Sequence, residues 1–107
     1  MEVTIAPLTA IPEGEGRNFV VGSDHVAVFR TRTGEVFAVQ AHCPHRGGPL
    51  ADGLTGGRTL ICPLHAWKFD LATGAGSDPA CSLRTFAARV DERGRIVVSV
   101  PPTGHSL

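Results

Sequence analysis

Glycine and proline recur throughout this chain, and their frequency limits the folds that it can adopt. The sequence of 107 residues contains 13 glycines and 8 prolines. Glycine costs backbone entropy in a helix and proline cannot donate the helical hydrogen bond, so both residues interrupt helices. A helical bundle is therefore excluded, and a loop-rich fold built from strands is expected.

Alternating apolar and polar residues predict about eight short strands. In the run 26–30 both the even-numbered and the odd-numbered positions carry apolar residues, with Val26 and Val28 on one side and Ala27 and Phe29 on the other. Turns at 33–34 and 92–94 predict two hairpins. Short strands at such close spacing are typical of antiparallel sandwiches and small barrels, so an all-β domain is expected. The predicted strands are 3–8, 18–22, 26–30, 36–39, 58–61, 66–70, 83–90 and 95–100.

The charge balance and the cysteine count exclude several classes of protein. Ten basic and ten acidic residues cancel, whereas nucleic acids and anionic membranes both favour a basic surface. The N-terminal segment 1–8 lacks the basic and apolar parts of a signal peptide, and no window approaches the roughly 20 apolar residues of a membrane helix. Three cysteines are too few for a disulfide scaffold. We therefore expect a cytoplasmic protein with reduced thiols, and neither nucleic acid nor membrane as a partner.

The segment 41–57 has little periodicity and holds five glycines, which favours a functional role. Cys43 and His45 lie one residue apart in it, and Cys62 and His65 follow after sixteen intervening residues with two residues between them. Each pair can reach one metal centre from one turn, so the four side chains form a candidate metal site. A proline after each cysteine restricts the backbone. Three glycines permit a close approach or a positive φ, namely Gly47, Gly48 and Gly53.

Two kinds of metal centre accept two cysteines and two histidines. Zinc binds them in a tetrahedron. A [2Fe–2S] cluster can instead take two cysteines on one iron and two histidines on the other. Zinc fingers usually pair cysteine with cysteine and histidine with histidine, whereas each pair here mixes the two types and no helix follows. Mixed pairs suit two irons, and the residues favour the cluster with zinc as the alternative.

The two segments that carry these residues resemble the Rieske family of [2Fe–2S] proteins. The resemblance lies in CPHRGGPL at 43–50 and CPLHAWKFD at 62–70. Gly74, the segment CSLRTF at 81–86 and Val90 are similar to Rieske-type ferredoxins and to the small subunit of NAD(P)H-dependent nitrite reductase. The resemblance covers nearly the whole chain.

This resemblance implies a Rieske fold, an antiparallel β-sandwich that forms one domain over residues 1–107. A small cluster-binding subdomain is expected as an insertion at about 41–74. The resemblance also implies that Cys43 and Cys62 bind one iron of a [2Fe–2S] cluster. It implies that His45 and His65 bind the other iron through Nδ1.

The function implied by the resemblance is one-electron transfer rather than catalysis. A reductase is the expected electron donor and a terminal oxygenase the expected acceptor, with electrons leaving at the edge formed by His45 and His65. The alternative is the small subunit of an NAD(P)H-dependent nitrite reductase, bound to its large subunit, and a structural zinc-binding module is the third hypothesis. The sequence shows no nucleophile–base pair and no phosphate-binding glycine motif, so no catalytic residue is assigned.

Departures from the Rieske pattern predict a low reduction potential. Rieske proteins of respiratory complexes carry an additional cysteine in each segment, joined by a disulfide, and Gly48 and Leu64 occupy those positions here. Those proteins also donate hydrogen bonds to sulfur from a serine and a tyrosine. Trp67 stands at the serine position, and the chain has no tyrosine. Such bonds stabilise the reduced cluster, so their loss predicts a potential in the lower part of the Rieske span of about −150 to +300 mV.

The remaining side chains near the site are expected to play supporting roles. Cys81 is interpreted as a small buried hydrophobe, because four ligands are already supplied. His42 is predicted to be solvated, Trp67 to pack in the core and Pro79 to shield the cluster. Three leucines are expected to exclude water from it, namely Leu50, Leu54 and Leu64.

Overall fold

The computed structural model describes residues 1–43, 49–62, 67–77 and 82–100. Within these ranges the chain forms nine strands and two short 3-10 helices. The strands are β1 (Glu2–Pro7), β2 (Glu15–Val21), β3 (Asp24–Arg30), β4 (Val36–Gln40), β5 (Leu54–Gly56), β6 (Thr59–Ile61), β7 (Lys68–Asp70), β8 (Thr85–Val90) and β9 (Arg95–Ser99). The 3-10 helices are Leu8–Ala10 and Leu50–Asp52. Neither of these helices is long and apolar enough to cross a membrane.

The strands form two antiparallel sheets. The large sheet has the order β1-β9-β8-β4-β3-β2, and the small sheet has the order β5-β6-β7. This arrangement confirms the predicted all-β antiparallel architecture. All three strands of the small sheet fall between residues 41 and 74, where the sequence predicts the inserted subdomain. The division into a domain and a subdomain stays a prediction.

Strand β5 was not among the predicted strands. Its three residues lie in the segment 41–57, where no alternation is visible because the strand is too short to show one. Pairing with β6 creates it, with Leu54 opposite Ile61 and Gly56 opposite Thr59. The 3-10 helix Leu50–Asp52 lies in the same segment. The segment 41–57 was predicted to contain no strand, and this prediction was wrong for residues 54–56.

Strand β3 is buried on both faces, as expected from a strand in which both alternating sets of positions are apolar. Ala27 and Phe29 point into a core between the two sheets, where they meet Leu60 and Phe69 of the small sheet. Side chains of a strand alternate between faces, so the valines of β3 enter a second core on the opposite face. That second core consists of Ile11, Val21, Val26, Val28, Val36, Ala38, Ile96, Val98 and Val100.

Two predicted hairpins are present. Thr31 N donates to Glu35 O at 2.8 Å across the turn between β3 and β4. Asp91 N donates to Arg95 O at 2.8 Å across the turn between β8 and β9. The first turn leads into β4 and the second follows β8, and these two strands pair with each other at the centre of the large sheet.

Candidate metal centre

The structure describes two of the four predicted ligands. Cys43 and Cys62 lie in the described ranges, whereas His45 and His65 fall in 44–48 and 63–66, outside them. In the ranges that are described, no three His, Cys, Asp or Glu side chains converge closely enough to hold a metal ion. The four-ligand set therefore stays a prediction.

Cys43 begins a segment, 43–49, whose two ends are held together. Ala41 N donates to His25 O at 3.2 Å, which continues the pairing of β3 and β4 beyond the last strand residue. Leu50 N in turn donates to Ala41 O at 3.0 Å. His42 and Pro49 form an isolated antiparallel bridge. The chain therefore leaves the sheet just before Cys43 and returns to the same place at Pro49.

Cys62 begins a second segment, 62–67, whose two ends also meet. It directly follows β6, whose last residue Ile61 pairs with Lys68 of β7. Cys62 N donates to Trp67 O at 2.8 Å, one step beyond that pair. Each candidate cysteine is thus the first residue of a segment whose ends are brought together by backbone contacts.

The two cysteines belong to one buried cluster between the sheets. Cys43 is 4% exposed and Cys62 is 2% exposed. They share this cluster with apolar side chains from both sheets and from the connecting segments, namely Ala27, Phe29, Val39, Leu50, Leu60, Phe69, Leu71 and Leu83. Soft thiolates gathered in an apolar core suit iron–sulfur clusters and zinc. The residues present therefore fit a thiolate-bound metal centre that is shielded from water.

The supporting residues follow the predictions in part. Leu50 is fully buried and Trp67 is partly buried against the same cluster, as predicted. His42 is exposed, also as predicted, and its ring lies 6.5 Å from that of His25.

Leu54 was expected to exclude water, and this prediction was wrong because the residue is 71% exposed. The neighbouring Thr55 instead turns toward the large sheet and donates to Gly14 O at 2.6 Å. Leu64, Pro79 and Cys81 lie outside the described residues.

Several residues around the cysteines were not singled out from the sequence. Phe69 and Leu83 complete the buried cluster, and Gln40 bonds to the chain just before Cys43. An apolar position in a short strand carries no local sign of which core it enters. The Gln40 side chain also bonds to Arg84, 44 residues away, so no local pattern could have identified it.

One ion pair links the small sheet to the large sheet. Arg58, in the turn between β5 and β6, donates to Glu35 Oε2 at 2.6 Å, and its guanidinium lies 5.8 Å from the centre of the Phe37 ring. The hydrogen bond from Arg58, with its positive charge, lowers the pKa of Glu35 below the ordinary value of 4.5. The same bond raises the pKa of Arg58.

Comparison with known proteins points to one family. The Rieske [2Fe-2S] domain family matches residues 1–87. The chain is 36% identical over 86 residues to the ferredoxin component of the naphthalene 1,2-dioxygenase system of Pseudomonas aeruginosa. This alignment covers 78% of the present chain and 82% of that ferredoxin.

Two solved structures resemble the whole fold. One is a Mycobacterium tuberculosis protein assigned as the small subunit of an NADH-dependent nitrite reductase, with a TM-score of 0.89, 27% identity and coverage of 96% of this chain and 97% of the other. The second is the ferredoxin of carbazole 1,9a-dioxygenase from Nocardioides aromaticivorans IC177, with a TM-score of 0.82, 30% identity and coverage of 92% and 97%. These likenesses confirm the predicted Rieske fold.

Other curated relatives are much longer than this chain. It is 33% identical over 87 residues to a cholesterol 7-desaturase from Xenopus laevis but spans only 18% of that protein's length. It spans 12% of the length of a 4beta-methylsterol monooxygenase from Methylococcus capsulatus. What all these relatives share with the chain is the domain itself. Together with the two cysteines buried in one core, the matches show that the chain belongs to the Rieske [2Fe-2S] domain family, whose cofactor is a [2Fe–2S] cluster.

Proposed function

We propose that this protein is a one-electron carrier that accepts an electron from a reductase and delivers it to a terminal oxygenase. The observation that carries the proposal is the burial of Cys43 and Cys62 in one core, each at the start of a segment whose ends meet. When bound, the cluster supplies a one-electron redox couple. The chain supplies the ligands, the exclusion of water and the surface that a partner contacts.

The proposed ligand set is the one expected from the sequence. Cys43 and Cys62 hold one iron, and His45 and His65 hold the other. Leu50, which is fully buried, keeps water away from the cysteine side. Such an apolar shell disfavours added charge and so lowers the reduction potential. In this proposal electrons enter and leave at the histidine edge.

The likeness to ferredoxin components supports an oxygenase as the electron acceptor. The alignment with the naphthalene 1,2-dioxygenase ferredoxin covers 82% of that protein. A stable small subunit of an NAD(P)H-dependent nitrite reductase is the second candidate, and the TM-score of 0.89 to the Mycobacterium tuberculosis protein supports it. A cytoplasmic location belongs to both versions of the proposal.

Metal analysis and substitution of the cysteines test the ligand set. The purified protein is expected to be coloured and to contain iron and acid-labile sulfide in equal amounts. Cys43→Ser and Cys62→Ser are each expected to lose the visible absorption and the electron paramagnetic resonance (EPR) signal of the reduced protein. Cys81→Ser serves as the matched control and is expected to keep both. A colourless wild-type protein that contains zinc and no iron would refute the proposal and support the structural zinc module.

Electron exchange with two partners tests the proposed role. The reduced protein is mixed in a stopped-flow instrument with a terminal oxygenase of the naphthalene type, and separately with the large subunit of a nitrite reductase. Rapid oxidation by the oxygenase supports the ferredoxin role. Rapid oxidation by the large subunit, together with stable co-purification, would replace it with the subunit role. No exchange with either protein would contradict both versions.

A further inference from the structure

Gln40, the last residue of β4, joins two distant segments through its side-chain amide. Its Nε2 donates to the carbonyl oxygen of His42 at 2.7 Å. Its Oε1 accepts from Arg84 N, also at 2.7 Å. Both partner atoms belong to the backbone, and a backbone N–H only donates while a carbonyl only accepts. The two contacts therefore determine which way the amide points.

The Gln40 backbone strengthens this connection. Gln40 N donates to Arg84 O at 2.9 Å, so the two residues exchange two hydrogen bonds. Among the described residues β4 pairs with β8 at two positions, and Val39 opposite Thr85 is the pair next to Gln40. Gln40 thus extends the contact between the two strands by one step toward the metal centre.

The two segments held by Gln40 both lead to the core that contains the cysteines. His42 immediately precedes Cys43, and Arg84 immediately follows Leu83, which is 5% exposed and belongs to the same buried cluster. Arg84 is itself held, since its guanidinium lies 3.6 Å from Asp24 Oδ1 and 4.8 Å from the centre of the Phe86 ring. Gln40 therefore connects the residue before Cys43 with the residue after Leu83, and both of these neighbours belong to the buried cluster.

We propose that Gln40 is a positioning residue of the metal centre, which sets the backbone at Cys43 by holding the His42 carbonyl and Arg84 N at the same time. This inference rests on the proposed function, because it takes Cys43 as a ligand. A mobile His42 carbonyl would let the Cys43 sulfur sample several positions. The inference therefore predicts a more uniform and more slowly released cluster in the wild type than in variants of Gln40.

Two substitutions separate the contributions of the amide. Gln40→Met has a similar length and no charge, and it removes both side-chain hydrogen bonds. Gln40→Glu retains an acceptor for Arg84 N but cannot donate to His42 O, and it adds a negative charge. Thr85→Glu is the matched control, because it adds the same charge at an exposed neighbouring position and leaves the amide intact.

The readouts are the EPR line shape of the reduced protein and the rate at which an iron chelator removes the cluster. A net hydrogen bond corresponds to about a fivefold change in an equilibrium constant. We therefore expect Gln40→Met and Gln40→Glu to release iron about fivefold faster and to broaden the EPR lines. Thr85→Glu is expected to match the wild type in both readouts.

Three outcomes would overturn the inference. The first is a wild-type line shape and release rate in both Gln40 variants, even if their thermal stability falls, since this indicates a structural role only. The second is a change in Gln40→Glu that Thr85→Glu reproduces and Gln40→Met lacks, because charge alone then explains it. The third is a change in Gln40→Met that Gln40→Glu lacks, because the bond to His42 is then dispensable. A wild-type protein without a cluster, or a Cys43→Ser variant that retains it, contradicts the proposed function instead.

Discussion

Gly53 shows how a single position can be restricted by space rather than by backbone angle. It follows the 3-10 helix Leu50–Asp52 with a φ of −73°, which any residue can adopt. A Cβ at this position would lie 2.9 Å from Leu60 Cδ1 and closer still to the carbonyl oxygen of Ile61. Of the two explanations offered by the sequence, a close approach is therefore the correct one and a positive φ is not.

Substitution of Gly53 tests this packing. Gly53→Ala forces β6 away from the chain at Gly53, and we expect a loss of about 1–3 kcal/mol in the free energy of unfolding. Gly56→Ala is the matched control, because nothing lies within 4 Å of the Cβ that it would add. Urea denaturation of both variants provides the measurement. Equal stabilities of the two variants would show that the contact at Gly53 yields without cost.

At the scale of elements, an ion pair joins the turn between β5 and β6 to the turn between β3 and β4. Arg58 and Glu35 form this pair, and the ring of Phe37 lies beneath the guanidinium of Arg58. Arg58 is exposed and Glu35 is partly exposed, so solvent screens the pair and it contributes little free energy. It nevertheless links the small sheet, which carries Cys62, to the large sheet.

The lowered pKa of Glu35 predicts that the stability contributed by this ion pair depends on pH. In the folded protein the pKa of Glu35 lies below its ordinary value of 4.5, so the carboxylate stays ionised to a lower pH than in the unfolded chain. The stabilisation of the folded state by the pair is therefore complete above the ordinary pKa and is lost as the pH falls through the lower pKa of the folded protein. We expect Glu35→Gln to be slightly less stable than the wild type at neutral pH and equally stable in strong acid.

Urea unfolding midpoints from neutral pH down to about pH 3 provide the measurement. Glu92→Gln is the control, because Glu92 makes no ion pair with the residues that the structure describes. A difference between wild type and Glu35→Gln that persists unchanged into acid would contradict the assignment of the pH effect to this pair.

At the scale of the whole molecule, two cores share strands β3 and β4 of the large sheet. Ala27 and Phe29 of β3 belong to the core that holds the cysteines, and Val26 and Val28 of the same strand belong to the other. Through Val98 this second core extends to β9, which pairs with β1 at the far edge of the sheet. The core that holds the cysteines therefore shares β3 and β4 with packing that reaches β9.

The composition of the whole chain predicts the reduction potential. No tyrosine exists anywhere in the sequence to donate a hydrogen bond to a ligand sulfur, and the two cysteines lie in an apolar core. Both features disfavour the additional negative charge of the reduced cluster. We expect a midpoint in the lower part of the Rieske span of about −150 to +300 mV. Redox titration measures it, and a midpoint well above zero would contradict the prediction.

Much of the architecture follows from local patterns. The sequence predicted the two hairpin turns, the burial of β3 on both faces and the antiparallel pairing of the strands. Each of these features depends on residues that are close together in the chain. Strand β5 was missed because three residues cannot show an alternation, and only its pairing with β6 makes it a strand. Leu54 was misplaced for the same reason, since the inward side of a strand depends on its neighbours.

The candidate site also combines features that the sequence predicts with features that only the tertiary structure shows. The sequence by itself determined the chemistry, because the residue types and spacing of Cys43, His45, Cys62 and His65 indicate a metal centre before any fold is known. Only the tertiary structure decided that Cys43 and Cys62 share one buried core and that Gln40 connects with Arg84. Ligand identity is a property of single residues, whereas burial and positioning arise from contacts between segments that are distant in the chain.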